Sequence, residues 1–291
     1  MKFADELERI AKLTERKLDG LIPASSPRLG QAMRYALLGP GKRLRPFLVV
    51  SSANVFGVPE SRSLEVAAAL ECIHCYSLVH DDLPCMDDDD LRRGRPTTHI
   101  AFDEATAVLV GDALLTLAFE IMSGPDVDPD PAIRVELVSL LAKAAGWQGM
   151  VLGQALDLEA EGRSLSMDET LEMQALKTGA LFRFACEAGA VLGRAKPVER
   201  RALLEYASAL GQAFQLADDL LDAQSTTEKL GKAAAKDAAR GKATFIALLG
   251  IDGARNRLAE LVHRAKSALT PLGDQAEPLA EAARFVATRE S

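Results

Sequence analysis

Aromatic residues are scarce in this chain, at 5% of 291 positions. No run alternates apolar and polar side chains with the period of two that a half-buried strand requires. Together these absences exclude a sheet-based architecture and leave helix as the dominant element. Positive charge is in deficit as well: the formal net charge is −8, which argues against a general nucleic-acid binder. Cysteine is limited to Cys72, Cys75, Cys85 and Cys186, with no disulfide framework expected and a reducing cytosol implied. Cys72 and Cys75 have the spacing of a redox or zinc pair but no second pair, so neither chemistry is expected of them. The first residues, Met1-Lys2-Phe3-Ala4-Asp5-Glu6, are charged and lack an apolar signal core, so the expected location is cytoplasmic. No low-complexity linker divides the chain and no repeat stands out.

What is present is helical. Hydrophobic residues make up 48%, enough for a sizeable core, and Ala, Leu and Glu are abundant. Gly and Pro punctuate the chain at Gly39-Pro40-Gly41, Gly57-Val58-Pro59, Gly94-Arg95-Pro96 and Pro197. Between such marks lie about ten or more helices, several longer than the usual three or four turns. Ser166-Met167-Asp168-Glu169 has the form of a capping box and opens a long helix. The expectation is an all-α fold in a single domain, residues 1–291. Ala105 to Met122 is apolar on most faces and nearly long enough to cross a bilayer. Asp112 and Glu120 within it would be costly in lipid. It is therefore read as a helix buried in a core or a subunit interface, with no membrane span and a likeness to a homodimer contact.

Two aspartate clusters carry the chemistry. The first is Asp81-Asp82-Leu83-Pro84-Cys85-Met86-Asp87, continuing to Asp90; the second is Asp218-Asp219-Leu220-Leu221-Asp222. Carboxylates gathered in a low-dielectric setting need cations to neutralise them. An all-oxygen donor set points to magnesium, which keeps waters and usually bridges to a substrate phosphate. Asp218 and Asp222 share a helix face, whereas Asp219 points elsewhere. Asp81 and Asp87 cannot share a face of a straight helix, but Pro84 lies between them and would break the helix, letting the chain return. Cations gather nearby in sequence: Arg92, Arg93 and Arg95 follow the first cluster, and Gly41-Lys42-Arg43-Leu44-Arg45-Pro46 concentrates three in a tight turn. Lys177, Lys232 and Lys242 lie in or beside Gly-containing segments. The combination suits two anionic substrates, one held through metal and one through Arg and Lys directly.

These pieces, with Glu71-Cys72-Ile73-His74, Gly111-Asp112-Ala113-Leu114-Leu115, Gly153-Gln154-Ala155-Leu156-Asp157, Lys177-Thr178-Gly179 and Phe214 to Asp222, stand in the order of a known family. From about Arg28 to Phe245 the chain resembles the short-chain trans-isoprenyl diphosphate synthases, most like the bacterial members that make farnesyl diphosphate. It departs at Ala235, where the family commonly has Gly, and at Phe245-Ile246, where it commonly has Tyr-Pro. The C-terminal Arg284 and Arg289 resemble a basic family tail only loosely.

The resemblance implies an all-α bundle around a central active-site cavity. It implies head-to-tail condensation of isopentenyl diphosphate with dimethylallyl or geranyl diphosphate. Magnesium, about three ions per site, would sit on Asp81, Asp87 and Asp218, with Asp82, Asp219 and Asp222 orienting waters or ligands. Lys177, Arg92, Lys232 and Lys242 would hold the allylic diphosphate, and Lys42, Arg45, His74 and Arg93 the isopentenyl diphosphate. Thr178 and Gln215 would stabilise the allylic cation. Tyr76 and Ser77 would set chain length: at about 1.5 Å per residue, Tyr76 lies roughly 7.5 Å below Asp81, where a ring can act as a floor. Alternatives on the same scaffold are a geranyl or geranylgeranyl diphosphate synthase, or a non-catalytic partner subunit of a heterodimeric prenyl synthase.

Overall fold

The computed structural model describes residues 3–160, 162–163, 165–228 and 245–288, without the side chains of 222, 224–228 and 247. The fold is all-α. By internal contacts the chain divides into two compact units, one of Met1–Ser139 with Val191–Gly193 and the other of Leu140–Ala190 with Arg194–Ser291.

The first unit is built around α4 (Glu60–Asp81), whose Val66-Ala67-Ala68-Ala69-Leu70 run is buried all round. A helix with so little polar surface has to be central. It packs on α3 (Leu44–Asn54) and α6 (Glu104–Ser123), with α1 (Phe3–Leu21) and α2 (Arg28–Leu37) outside them. Helix α1 buries Leu7, Ile10, Thr14 and Leu18, the i, i+3, i+4 stripe of a surface helix. Ion pairs Arg9–Glu60 at 2.6 Å and Lys17–Glu65 at 2.5 Å tie α1 to α4. Helix α6 buries only one stripe, Ala107, Val110, Gly111, Leu114, Ala118 and Met122, and leaves Val108 and Leu109 exposed. Among the described residues, α6 is therefore only partly enclosed. Helix α6 and the stretch Pro131–Glu159 are the two segments, among the described residues, long and apolar enough to cross a membrane.

A short hairpin interrupts the helices after α4. Leu91–Arg92 pairs antiparallel with Arg95–Pro96, and the two residues between, Arg93 and Gly94, both have positive φ, 52° and 76°. That is the twist a two-residue hairpin turn requires, with Gly at the second position. Each strand has only two residues, too short to leave a periodic signal.

In the second unit, α11 (Pro197–Glu228) runs for 32 residues and packs along the helix Phe245–Ala268. The fully buried Tyr206 donates its hydroxyl to the Leu279 carbonyl at 2.7 Å, fixing α11 to the C-terminal helix Glu277–Thr288. The capping box at Ser166 and Glu169 forms as expected and starts α9 (Met167–Gln174). The helix it opens is not uniform. It widens into a π-helical segment, Ala175–Gly179, before continuing as α10 (Ala180–Leu192).

Candidate active site

The first aspartate cluster folds back as its proline suggested. Helix α4 ends at Asp81, and the Asp87 N–H donates to the Asp81 carbonyl at 2.8 Å. Asp88 N–H and Asp89 N–H close on the carbonyls of Leu83 and Asp82, with Asp88 at positive φ. The acidic run is thus a wound loop, and its two outer carboxylates begin from adjacent backbone. Asp82 is turned inward, 4% exposed, and accepts from Arg92 Nε at 2.6 Å. Burial raises its pKa, against the opposing pull of Arg92. Asp82 is therefore the anchor of the Arg92 side chain.

The hairpin returns the chain to α2 and α4, where a cleft is lined by Tyr35, Arg43, Glu71, His74, Arg92, Arg93 and Arg95. Arg93 Nη1 donates to the Pro40 carbonyl at 2.5 Å, and a side chain at Gly41 would overlap that guanidinium. The Arg93–Pro40 bond thus joins the hairpin to the Gly41-Lys42-Arg43 turn. Arg95 stacks over the Tyr35 ring at 4.3 Å, and the Tyr35 hydroxyl donates to the Pro96 carbonyl at 2.7 Å.

The three cations of the Lys42–Arg45 turn separate by role. Lys42 is exposed and Arg45 half-buried. Arg43 is buried, with a left-handed backbone at φ 50°, and pairs with buried Glu71 at 2.5 Å while donating to the carbonyls of Leu37 and Gly39. Arg43 thus holds the turn from beneath. One turn along α4 from Glu71, the pKa of His74 lies well below its usual value, driven by burial and then by Arg45, Arg93, Arg43 and Arg92. The Cys75 thiol is pushed up to about 12 by burial and Glu71, so it offers no thiolate.

Tyr76 is 6% exposed and meets the His80 ring edge-on at 5.9 Å. Burial and the Asp81 charge push its hydroxyl up to about 12. The neighbouring Ser77 donates to the His74 carbonyl at 2.9 Å and stays half-buried. His80 itself sits in a notch over Gly111, where any Cβ would overlap its ring, and bonds the Val108 carbonyl at 3.1 Å.

In the second unit the π-helical segment carries Lys177 and Thr178. Such segments are rare and frequent at functional sites. Its backbone lies directly against Gly153, where a Cβ would overlap Lys177 N and Cα. Lys177 Nζ pairs with Asp157 at 2.5 Å. The Thr178 hydroxyl donates to Gln215 Oε1 at 3.4 Å, and Gln215 Nε2 donates to Asp219 Oδ1 at 3.1 Å. Asp218 is half-buried and Asp219 buried, which agrees with Asp219 pointing elsewhere than Asp218. Lys232, Lys242, Ala235 and Arg289 lie outside the described residues, as does the Asp222 side chain. Arg284 pairs with Glu277 at 2.9 Å and with Glu281.

Sequence reading gave no role to Asp157, to the Arg43–Glu71 pair or to the Tyr35–Arg95 stack. Glu71 left the clearest signal, a single charge in the apolar run from Val66 to Ile73. Among the described residues, no three His, Cys, Asp or Glu side chains gather closely enough to hold an ion by themselves. Magnesium needs less than that: one or two carboxylates, waters and a substrate phosphate suffice, and the returning Asp81–Asp87 loop supplies donors of that kind.

Residues 26–272 match the polyprenyl synthetase family. The chain is 45% identical over 284 residues to farnesyl diphosphate synthase of Escherichia coli (strain K12), covering 94% of each. It is 42% identical over 299 residues to geranylgeranyl pyrophosphate synthase 11, chloroplastic, of Arabidopsis thaliana, covering 99% of this chain and 83% of that one. The crystal structure of an FPP/GFPP synthase from Zymomonas mobilis, in its apo form, superposes with a TM-score of 0.90 at 45% identity, covering 98% of this chain and 99% of that one.

Proposed function

Because this chain belongs to the polyprenyl synthetase family, we propose that it condenses isopentenyl diphosphate head-to-tail with dimethylallyl and then geranyl diphosphate, releasing farnesyl diphosphate. It is a prenyltransferase. The observation that carries this reading is the 45% identity to a farnesyl diphosphate synthase across nearly the whole of both chains. The wound Asp81–Asp87 loop and the arginine-lined cleft beside it support it.

Asp81, Asp87 and Asp218 are the residues that would hold magnesium, an ion suited to oxygen donors, and it would supply Lewis-acid stabilisation of charge on the departing diphosphate. Arg92, braced by Asp82, and Lys177, braced by Asp157, hold the allylic diphosphate together with Lys232 and Lys242. Isopentenyl diphosphate binds to Lys42, Arg45, His74 and Arg93, beside the cleft that Arg92, Arg93 and Arg95 line. Arginine grips a diphosphate through paired N–H donors and lysine as a point charge. The oxygens of Thr178 and Gln215 stabilise the allylic cation. Helix walls exclude water, which would otherwise quench that cation to an alcohol. Released pyrophosphate takes the final proton, so no side-chain base is required. Tyr76, with Ser77, closes the path of the growing tail.

We read residues 1–291 as a single polyprenyl synthase domain, and the enzyme as a cytoplasmic homodimer. The exposed Val108 and Leu109 of the apolar helix α6 support the dimer.

Chromatography of dephosphorylated products from isopentenyl plus dimethylallyl diphosphate tests the reading. Farnesol is the expected product. Failure to consume isopentenyl diphosphate overturns it. Likeness to an FPP/GFPP synthase and a geranylgeranyl pyrophosphate synthase favours a second reading, a longer product on the same scaffold. Geranylgeraniol or a longer alcohol as the main peak would select it.

A further inference from the structure

A primary amide is nearly symmetric in shape, and turning Gln215 over would present an NH2 where an allylic cation requires an oxygen. Something must hold the amide one way round. Gln215 and Asp219 stand one turn apart on α11, and Gln215 Nε2 donates to Asp219 Oδ1 at 3.1 Å. The other carboxylate oxygen, Oδ2, accepts the backbone N–H of Phe245 at 2.9 Å. Asp219 is only 8% exposed. Each oxygen of this carboxylate thus serves as an acceptor, one for each N–H. Gln215 must therefore turn its NH2 toward Asp219. Its oxygen is left on the opposite side, where it accepts from the Thr178 hydroxyl at 3.4 Å.

We propose that Asp219 is a positioning residue that locks the amide of Gln215 oxygen-outward, and so fixes the pair of oxygens that Thr178 and Gln215 offer to the allylic cation. The inference rests on the prenyl-transfer reading. It separates the roles of two adjacent aspartates: Asp218 belongs to the diphosphate and its magnesium, Asp219 to the cation. Phe245 is the first described residue of the helix packed along α11, so the same carboxylate also ties that helix to α11.

Asp219→Asn tests it. The single oxygen of the new amide has to satisfy the buried Phe245 N–H, since an unsatisfied backbone donor is costly. Its NH2 then faces Gln215, which can meet it only by turning over. The expected result is a fall in kcat on the order of a hundredfold, with KM for both diphosphates and the magnesium requirement unchanged. In a Gln215→Ala background the same substitution should cost almost nothing further, because the group it acts through is gone. Asp219→Asn combined with Gln215→Glu should recover part of the activity, since a carboxylate at 215 offers an oxygen to both neighbours. Loss that is fully additive with Gln215→Ala, or that disappears at high magnesium, overturns the proposal. A readout independent of turnover is the side-chain NH2 resonance of Gln215, assigned by its absence in Gln215→Ala. Slow exchange in the wild type that is kept in Asp219→Asn also overturns the proposal. If the wild-type enzyme consumes no isopentenyl diphosphate, the prenyl-transfer reading fails, and this resonance still decides whether Asp219 holds the amide.

Discussion

Burial first, and then four arginines, hold the pKa of His74 well below its ordinary value. The unfolded chain has no such opposition and titrates near 6.5. Between that value and the depressed folded one, the unfolded state binds a proton that the folded state refuses. The stability associated with neutral His74 is therefore complete above about pH 6.5 and is lost as the pH falls below it. Thermal melts from pH 7.5 to 5 should show a shallower acid loss of Tm for His74→Gln than for the wild type; parallel curves would contradict the assignment. Arg43 and Glu71 make the opposite case, a buried pair in which each charge needs the other. Glu71→Ala strands Arg43 in the core and should cost about 3–5 kcal/mol in urea unfolding. Removing Glu60, whose pair with Arg9 is partly exposed, should cost about 1 kcal/mol or less. Equal losses would mean that the Arg43–Glu71 pair is not the strut beneath the turn. At Asp81 and Asp218 the expectation is functional: alanine at either should lower turnover by several orders of magnitude with Tm near wild type. Near-normal turnover at saturating magnesium would overturn the proposal that they hold the metal.

Helix α4 does two jobs because of where it ends. Its C-terminus delivers Asp81, and the turn before that carries Tyr76 against His80. The register of these residues is set by the His80 ring fitting over Gly111 of α6. Opening the space at Tyr76 should lengthen the product, so Tyr76→Ala is expected to shift the chromatogram from fifteen carbons toward twenty or more. An active variant that still releases farnesyl diphosphate alone would mean the floor lies elsewhere. The π-helical segment is a second element held by a glycine contact. Its wide turn brings Lys177 and Thr178 over α8 (Met150–Glu159), and Gly153 is the residue that permits the approach. Gly153→Ala should push the segment away and separate Lys177 from Asp157. The expected cost is a drop in kcat greater than about tenfold. An unchanged rate would show that the segment tolerates displacement.

At the scale of the whole molecule, helix α6 buries a stripe against α4 and leaves apolar side chains on its other faces, Leu109 being 54% exposed. A self-complementary contact with a second copy would cover them. Sedimentation should report a dimer at micromolar concentration and a shift toward monomer for Leu109→Glu; a monomeric wild type would refute it. The helical class, the capping box at Ser166, the end of α4 before Pro84 and the two acidic clusters were legible from sequence, because each rests on local periodicity or a backbone restriction within a few residues. The facing of Asp218 away from Asp219 was legible for the same reason, helix geometry alone. The hairpin at Leu91–Pro96 was not, since strands of two residues carry no period and its first turn residue, Arg93, is not a type that favours positive φ. Nor was the π-helical segment, whose wide turn depends on Gly153 admitting a neighbouring backbone. The pairing of Arg43 with Glu71 spans 28 residues, and that of Asp219 with the Phe245 N–H spans 26. Sequence by itself determined which chemical groups this protein carries and on which helix faces they stand. Tertiary structure alone decided which of those charges are buried and spent on one another, because burial and pairing depend on residues that only folding brings together.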